Sequence, residues 1–206
     1  CSKFFPRASF TASRPRAYLL RGFSSSYGSR GANGKPNNGR RQTAATRQRS
    51  KTMAGRIDAR LKELGIQINA PVAPVANYLG FIQSGNLVFV SGQISVDGEK
   101  KYLGTVGSDV SLDVAVEAAK ASAKNIIAQL KAATNGDLDR VKRIVKLGGF
   151  VNSSDDFTGQ PQVINGASDL MVAVFGDAGR HARAAVSSNS LPLGVSVEID
   201  CIAEID

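Results

Sequence analysis

The first 57 residues contain no aspartate or glutamate, although thirteen lysines and arginines are spread through them. Their formal charge is +13, which leaves −4 for residues 58–206 out of a chain total of +9. A basic chain suggests nucleic acid, but this excess belongs to a terminal stretch. The remaining residues lack the positive field that a phosphate-tracking surface needs, so nucleic acid is not an expected partner of that body. Cysteine is equally scarce. Cys1 and Cys201 are the only two, which supply neither a disulfide framework nor a thiolate metal set and fit a reducing compartment. His181 is the single histidine. Paired-histidine zinc chemistry is excluded, and with no nucleophile elbow beside it His181 reads as structural or exposed. No apolar run approaches the ~18 residues of a membrane span, and a secretory hydrophobic segment is missing too.

What the N-terminal stretch does contain is arginine, serine, glycine and asparagine, with aromatics among the arginines in CSKFFPRASFTASRPRAYLLRGFSSS. That composition marks organelle transit segments. Arg21-Gly22-Phe23-Ser24 resembles a mitochondrial processing site, with arginine two residues before the bond after Phe23. Residues 24–57 are of low complexity and too polar to bury a core. Residues 1–57 are therefore expected to be a basic, disordered tail with a mitochondrial-type presequence, ahead of one domain over residues 58–206. An RNA-binding tail is the rival, but repeated RGG units are missing and Tyr27 is the one stacking residue in the low-complexity part. The chain begins with Cys1, so its start is expected to be missing or processed. Met53 offers a start for a shorter, cytoplasmic form.

Within the body the pattern alternates between strand and helix periods. A short helix is expected over Ile57–Leu64, ended by Gly65. Strands over Tyr78–Gln83 and Leu87–Ile94 flank the hairpin signal Ser84-Gly85-Asn86. Asp97-Gly98 marks the next turn, with a short strand near Tyr102–Leu103. Asp109 is placed to cap a long helix with Leu112, Val116, Ala119, Ala123, Ile126 and Leu130 at helical spacing, closed by Asn135-Gly136. Arg143–Val151 is the next strand. Pro161 then opens a second helix with Ile164, Ala167, Met171 and Val174 in a stripe ended by Gly176. The expected fold class is α+β, with both amphipathic helices on one face of a single sheet.

The closing segment HARAAVSSNSLPLGVSVEIDCIAEI (residues 181–205) carries the most chemistry. Val195, Val197, Ile199, Cys201, Ala203 and Ile205 share one face, while Ser196, Glu198 and Asp200 point to the other. Arg183 opens the preceding run with Ala185 and Ser187 on its face. A guanidinium near a carboxylate suits a small carboxylated ligand, the arginine forking onto it and the glutamate handling a proton or a water. A solvated surface ion pair is the plainer alternative. The face away from the helices is expected to hold Arg183, Glu198 and Ser91. Leu87 and Phe89 on that face need cover, which points to self-association. Asn165-Gly166 is a local anomaly, since both are poor in helix interiors. It signals a site or close packing at Gly166.

These residues carry a family resemblance. Arg183, Leu191-Pro192 and VSVEIDCIA with Glu198 resemble the C-terminal signature of the YjgF/RidA imine deaminases, also known as L-PSP endoribonucleases. NYLGFIQSGNLVFVSGQI (residues 77–94) is similar to the family's tyrosine segment and Ser-Gly-Gln strand, and Asn165 falls where the family has an asparagine. The resemblance implies a chorismate-mutase-like fold and a homotrimer with clefts between subunits. It also implies hydrolysis of 2-imino or 2-enamino acids to 2-keto acids and ammonia. In that chemistry Arg183 and Glu198 are catalytic, Tyr78, Ser91, Gly92 and Asn165 bind substrate, and neither metal nor cofactor is required. The older family label implies RNA cleavage, and a non-catalytic module that binds a small carboxylate is the other alternative. Ala185 in place of a frequent cysteine, Asn77 in place of proline, and an extra residue within 176–182 set the chain in a divergent subgroup.

Overall fold

The computed structural model describes residues 55–71 and 77–206. The presequence, the Met53 start and nearly all of the expected tail lie outside the described residues. The order of elements is α1 (Arg56–Glu63), β1 (Phe81–Ser84), β2 (Leu87–Ile94), β3 (Val96–Asp97), β4 (Lys100–Lys101) and α2 (Leu112–Ala133). After these come β5 (Val141–Asn152), α3 (Gln160–Phe175), β6 (Ala182–Ser188) and β7 (Val197–Ile205). The main sheet runs β1-β2-β7-β5-β6, and every pair in it is antiparallel except β5 with β6. A parallel pair needs a crossover, and α3 supplies it. The expected α+β architecture, one mixed sheet with two long helices against one face, is the one found.

The alternation of β7 decides where the core lies. Val197, Ile199, Cys201, Ala203 and Ile205 are all buried and belong to one cluster with Ala119, Ala123, Ile126 and Leu130 of α2 and Ile164, Ala167 and Met171 of α3. Burial of one large aliphatic side chain stabilises by roughly 1.5–3 kcal/mol, so this cluster is the main favourable contribution to folding. Gly166 brings the two helices together. A Cβ there would stand 2.3 Å from the Val116 carbonyl oxygen, so the Asn-Gly anomaly is explained at position 166 by close helix contact. Helix α1 has no cap of its own at Gly55. Instead the carboxylate of Asp139 accepts from the Arg56 and Ile57 amides at 2.9 Å each, from more than 80 residues away.

Several expectations need correction. Tyr78 lies before the first strand, which starts at Phe81. The cap of α2 is Ser111, extended at φ −72°, ψ 160°, with Oγ accepting from the Val114 amide at 3.4 Å. Asp109 instead closes the preceding loop by accepting from the Thr105 amide at 2.6 Å. The chain is still turning there, with Val110 bridged back to Val106, so the helix cannot yet begin. The short strand near Tyr102 is Lys100–Lys101, paired with Val96–Asp97 across the Gly98 turn. Ser196 points away from the core as expected but is fully buried, because the Tyr102 carbonyl covers its hydroxyl at 3.1 Å. Among the described residues, no helix is long and apolar enough to cross a membrane.

Candidate functional site

Glu198 stands on the sheet face turned away from the helices, level with Ile94 on β2 and Phe150 on β5. Its neighbourhood is shaped by an irregularity in β2. The pairing with β7 shifts between Val90 and Gln93, so Ser91 and Gly92 occupy a bulge. The carboxylate fills the room that a side chain at Gly92 would take. It is half-buried, and no hydrogen-bond donor among the described residues reaches it. Burial, assisted by the nearby negative charge of Asp200, raises the Glu198 pKa above the ordinary carboxylate value. That favours a carboxylate able to take and return a proton nearer to neutrality.

Ser91 and Tyr78 lie at the same end of the sheet. The Ser91 hydroxyl donates to the Leu79 carbonyl at 2.7 Å and its amide to the Gly80 carbonyl at 3.0 Å, which ties β2 to the segment entering β1. Tyr78, Phe81, Ile82, Phe89 and Ser91 line a shallow hollow of about 390 Å³. Tyr78, Ser91, Gly92 and Glu198 thus gather on the β1–β2–β7 side.

Arg183 is elsewhere, and the expectation that it shares a face with Glu198 is wrong. It pairs with Leu147, which is fully buried beneath the helices, and paired residues in a sheet point the same way. Arg183 therefore leans to the helix side from an edge strand. Its Nη1 donates to Asn165 Oδ1 at 2.8 Å and to Ser168 Oγ at 3.1 Å on α3. Glu198 is level with Val186, three residues further along β6, and two strands away. Two strand spacings amount to about 10 Å, so the two groups do not meet within the chain. The face of an isolated strand follows from alternation, but which face the helices cover follows from its register with β5.

Asn165, on α3, lies beside Arg183. Ser168 escaped the sequence reading, and His181 entered it only as a lone histidine. Both were signalled by spacing: Asn165 and Ser168 are three apart on one helix, and His181 is two before Arg183. Cys201 has no part in this chemistry, since its thiol is buried in the core and pushed up to about 12 by that burial. Among the described residues, no group of three or more His, Cys, Asp or Glu could hold a metal ion.

The family described as "YjgF/chorismate_mutase-like, putative endoribonuclease" matches residues 58–205. The chain is 45% identical over 155 residues to protein TCP17 of Trypanosoma cruzi, covering 74% of this chain and 96% of that one. A RutC family protein of Pyrococcus horikoshii, PH0854, is 27% identical over 143 residues, 69% of this chain and 98% of its own length. The crystal structure of Atu1372 from Agrobacterium tumefaciens superposes with a TM-score of 0.69 at 51% identity, covering 76% of this chain and 97% of that chain.

Proposed function

Because the chain belongs to the YjgF/chorismate-mutase-like family by its match over residues 58–205, we propose that it hydrolyses small 2-imino or 2-enamino acids to 2-keto acids and ammonia. The observation that carries this reading is that the sheet holds both an arginine bound through one nitrogen only and, on its other face, a half-buried carboxylate that no donor among the described residues reaches. The guanidinium of Arg183 binds the substrate carboxylate. Glu198 takes a proton from water, whose oxygen bonds to the imine carbon to form a carbinolamine. The proton is then returned to nitrogen, the carbinolamine hydroxyl gives its own proton to the Glu198 carboxylate as the carbon–nitrogen bond breaks, and ammonia leaves a keto group behind. The Ser91-Gly92 backbone, Tyr78 and Asn165 shape the cleft.

The separation of Arg183 from Glu198 within one protomer makes self-association part of the proposal. The face away from the helices exposes Ile82 (59%), Phe89 (39%), Phe150 (37%) and Val186 (48%), which is more apolar surface than a solvated sheet keeps. In a homotrimer this face meets the edge of a neighbouring sheet. Glu198 of one subunit then shares a cleft with the arginine of the next.

The test is an assay in which 2-aminoacrylate is generated in situ, with pyruvate and ammonia followed. The native chain should accelerate their release. Arg183→Ala should lose both keto-acid binding and turnover, and Arg183→Lys, which lacks the fork, should recover only part of the affinity. Salt-sensitive RNA cleavage without imine turnover would support the endoribonuclease reading that the family description offers, against which stands the −4 charge of residues 58–206. Keto-acid binding without turnover would make the protein a carboxylate sensor. The acid-free N-terminal stretch supports a mitochondrial location, and residues 1–52 fused to a fluorescent reporter should carry it there. A diffuse cytosolic signal would favour the form starting at Met53.

A further inference from the structure

The guanidinium of Arg183 has five N–H bonds, and the protein occupies two of them on a single nitrogen. Nη1 gives one to Asn165 Oδ1 at 2.8 Å and the other to Ser168 Oγ at 3.1 Å. These acceptors sit at i and i+3 on α3, so they present adjacent oxygens from one rigid surface. Nη1 is then saturated, while Nε–H and the Nη2–H beside it form a parallel pair along the other edge that no acceptor among the described residues takes up. That edge matches the two oxygens of a carboxylate.

The hydroxyl of Ser168 is itself held. His181 Nδ1 lies 2.6 Å from the Gly179 carbonyl oxygen, which can only accept, so Nδ1 carries a proton. In the neutral ring Nε2 is then a bare acceptor, 3.1 Å from Ser168 Oγ. Ser168 donates its proton to that nitrogen and turns a lone pair toward Arg183. The far anchor is rigid as well. A Cβ on Gly179 would stand 2.2 Å from the Met171 carbonyl oxygen, so the turn Gly176–Gly179 is seated directly on α3. The chain of contacts runs from the end of α3 through Gly179, His181 and Ser168 back to the arginine.

We propose that Ser168 and His181 are positioning residues which, with Asn165, immobilise Nη1 of Arg183 and present its Nε–Nη2 edge as the carboxylate fork. This rests on the reading of Arg183 as the carboxylate clamp. Left unrestrained, an exposed arginine samples many rotamers and loses that freedom on binding. Here the loss has already occurred on folding, so the ligand meets a preorganised edge.

The experiment uses the full chain and pyruvate as probe, with affinity measured by calorimetry. Removing one orienting hydrogen bond should weaken pyruvate about tenfold in Ser168→Ala and in His181→Phe. Ser168→Thr keeps the hydroxyl and His181→Gln keeps an acceptor near the position of Nε2, so both should recover most of that loss. In the imine assay KM should rise by a similar factor while kcat moves little, because Glu198 is untouched. A ligand-free reading comes from nitrogen-15 spectra of the arginine side chain. Nη1 and Nη2 of Arg183 should give separate signals in the native protein and merge in Ser168→Ala, as rotation about the Nε–Cζ bond is released. Should Ser168→Ala fold poorly, the His181→Phe and His181→Gln pair carries the same comparison. Normal pyruvate binding in Ser168→Ala and His181→Phe, alongside its loss in Arg183→Ala, would overturn the positioning role and leave the clamp standing. Unchanged binding in Arg183→Ala would overturn the clamp, and the positioning role with it.

Discussion

The carboxylate of Glu198 lies where the side chain of residue 92 would have to go: a Cβ built on Gly92 would stand 1.9 Å from Glu198 Oε1. The bulge at Ser91-Gly92 and the placement of the proposed base are therefore one structural feature. The obstructing atom is the far end of a flexible side chain, so a methyl group can be admitted by swinging the carboxylate aside. Gly92→Ala should cost little stability, about 1 kcal/mol or less in denaturant titration. It should nevertheless lower imine turnover by about tenfold or more, because a displaced base no longer reaches its water. Native-like turnover in that variant would show that Glu198 does not need its observed position.

Position 166 gives the opposite result for the same change. The obstruction there is the Val116 backbone carbonyl at 2.3 Å, and a helix backbone cannot step aside alone. Gly166→Ala must push α2 and α3 apart, and overpacking of this kind costs typically 1–3 kcal/mol. Urea midpoints compared with those of Gly92→Ala should separate the two sites clearly.

Protonation of Glu198 links the site to stability. Burial first, and Asp200 second, raise its folded pKa above the ordinary value of 4.5. Between the unfolded and folded values the native state holds a proton that the unfolded chain has released, so this group's contribution is fully present below the window and is lost as pH rises through it. Glu198→Gln should therefore gain melting temperature relative to the native protein at pH 7, and the gain should shrink toward about pH 4. The same variant should keep binding pyruvate while turnover falls by roughly 10²–10⁴. A constant difference across pH would mean that Glu198 titrates as an ordinary surface carboxylate.

Assembly is tested on the open sheet face. Phe89 pairs with Ile82 on one side and Ile202 on the other, in the middle of that apolar surface. Phe89→Asp leaves the helix-side core untouched and places a charge where the subunits are proposed to meet. Light scattering should report trimers for the native chain and smaller species for the variant, with imine turnover lost in parallel. A native monomer with full activity would remove the shared cleft and require Arg183 and Glu198 to act separately.

Much of this protein was legible in local pattern. The helical stripe of Ile164, Ala167, Met171 and Val174, the stop at Gly176 and the alternation from Val197 to Ile205 are all found where periodicity put them. Such patterns survive in sequence because a 3.6 or a 2.0 repeat must keep one side apolar whatever lies opposite. The candidate residues Tyr78, Ser91, Gly92, Asn165, Arg183 and Glu198 were named one by one, chiefly from the family resemblance. What the chain alone could not decide was which of them share a face. Alternation relates Arg183 to Ala185 and Ser187, but only pairing with Leu147 on β5 turns that face toward the helices. Only the bulge in β2 sets Gly92 against Glu198, and only the turn after α3 brings His181 to Ser168. Each depends on the register between segments far apart in sequence, and a one-residue change in register reverses every side chain on a strand. Residue identity determined what chemistry was available. Strand order and register determined which groups could act together.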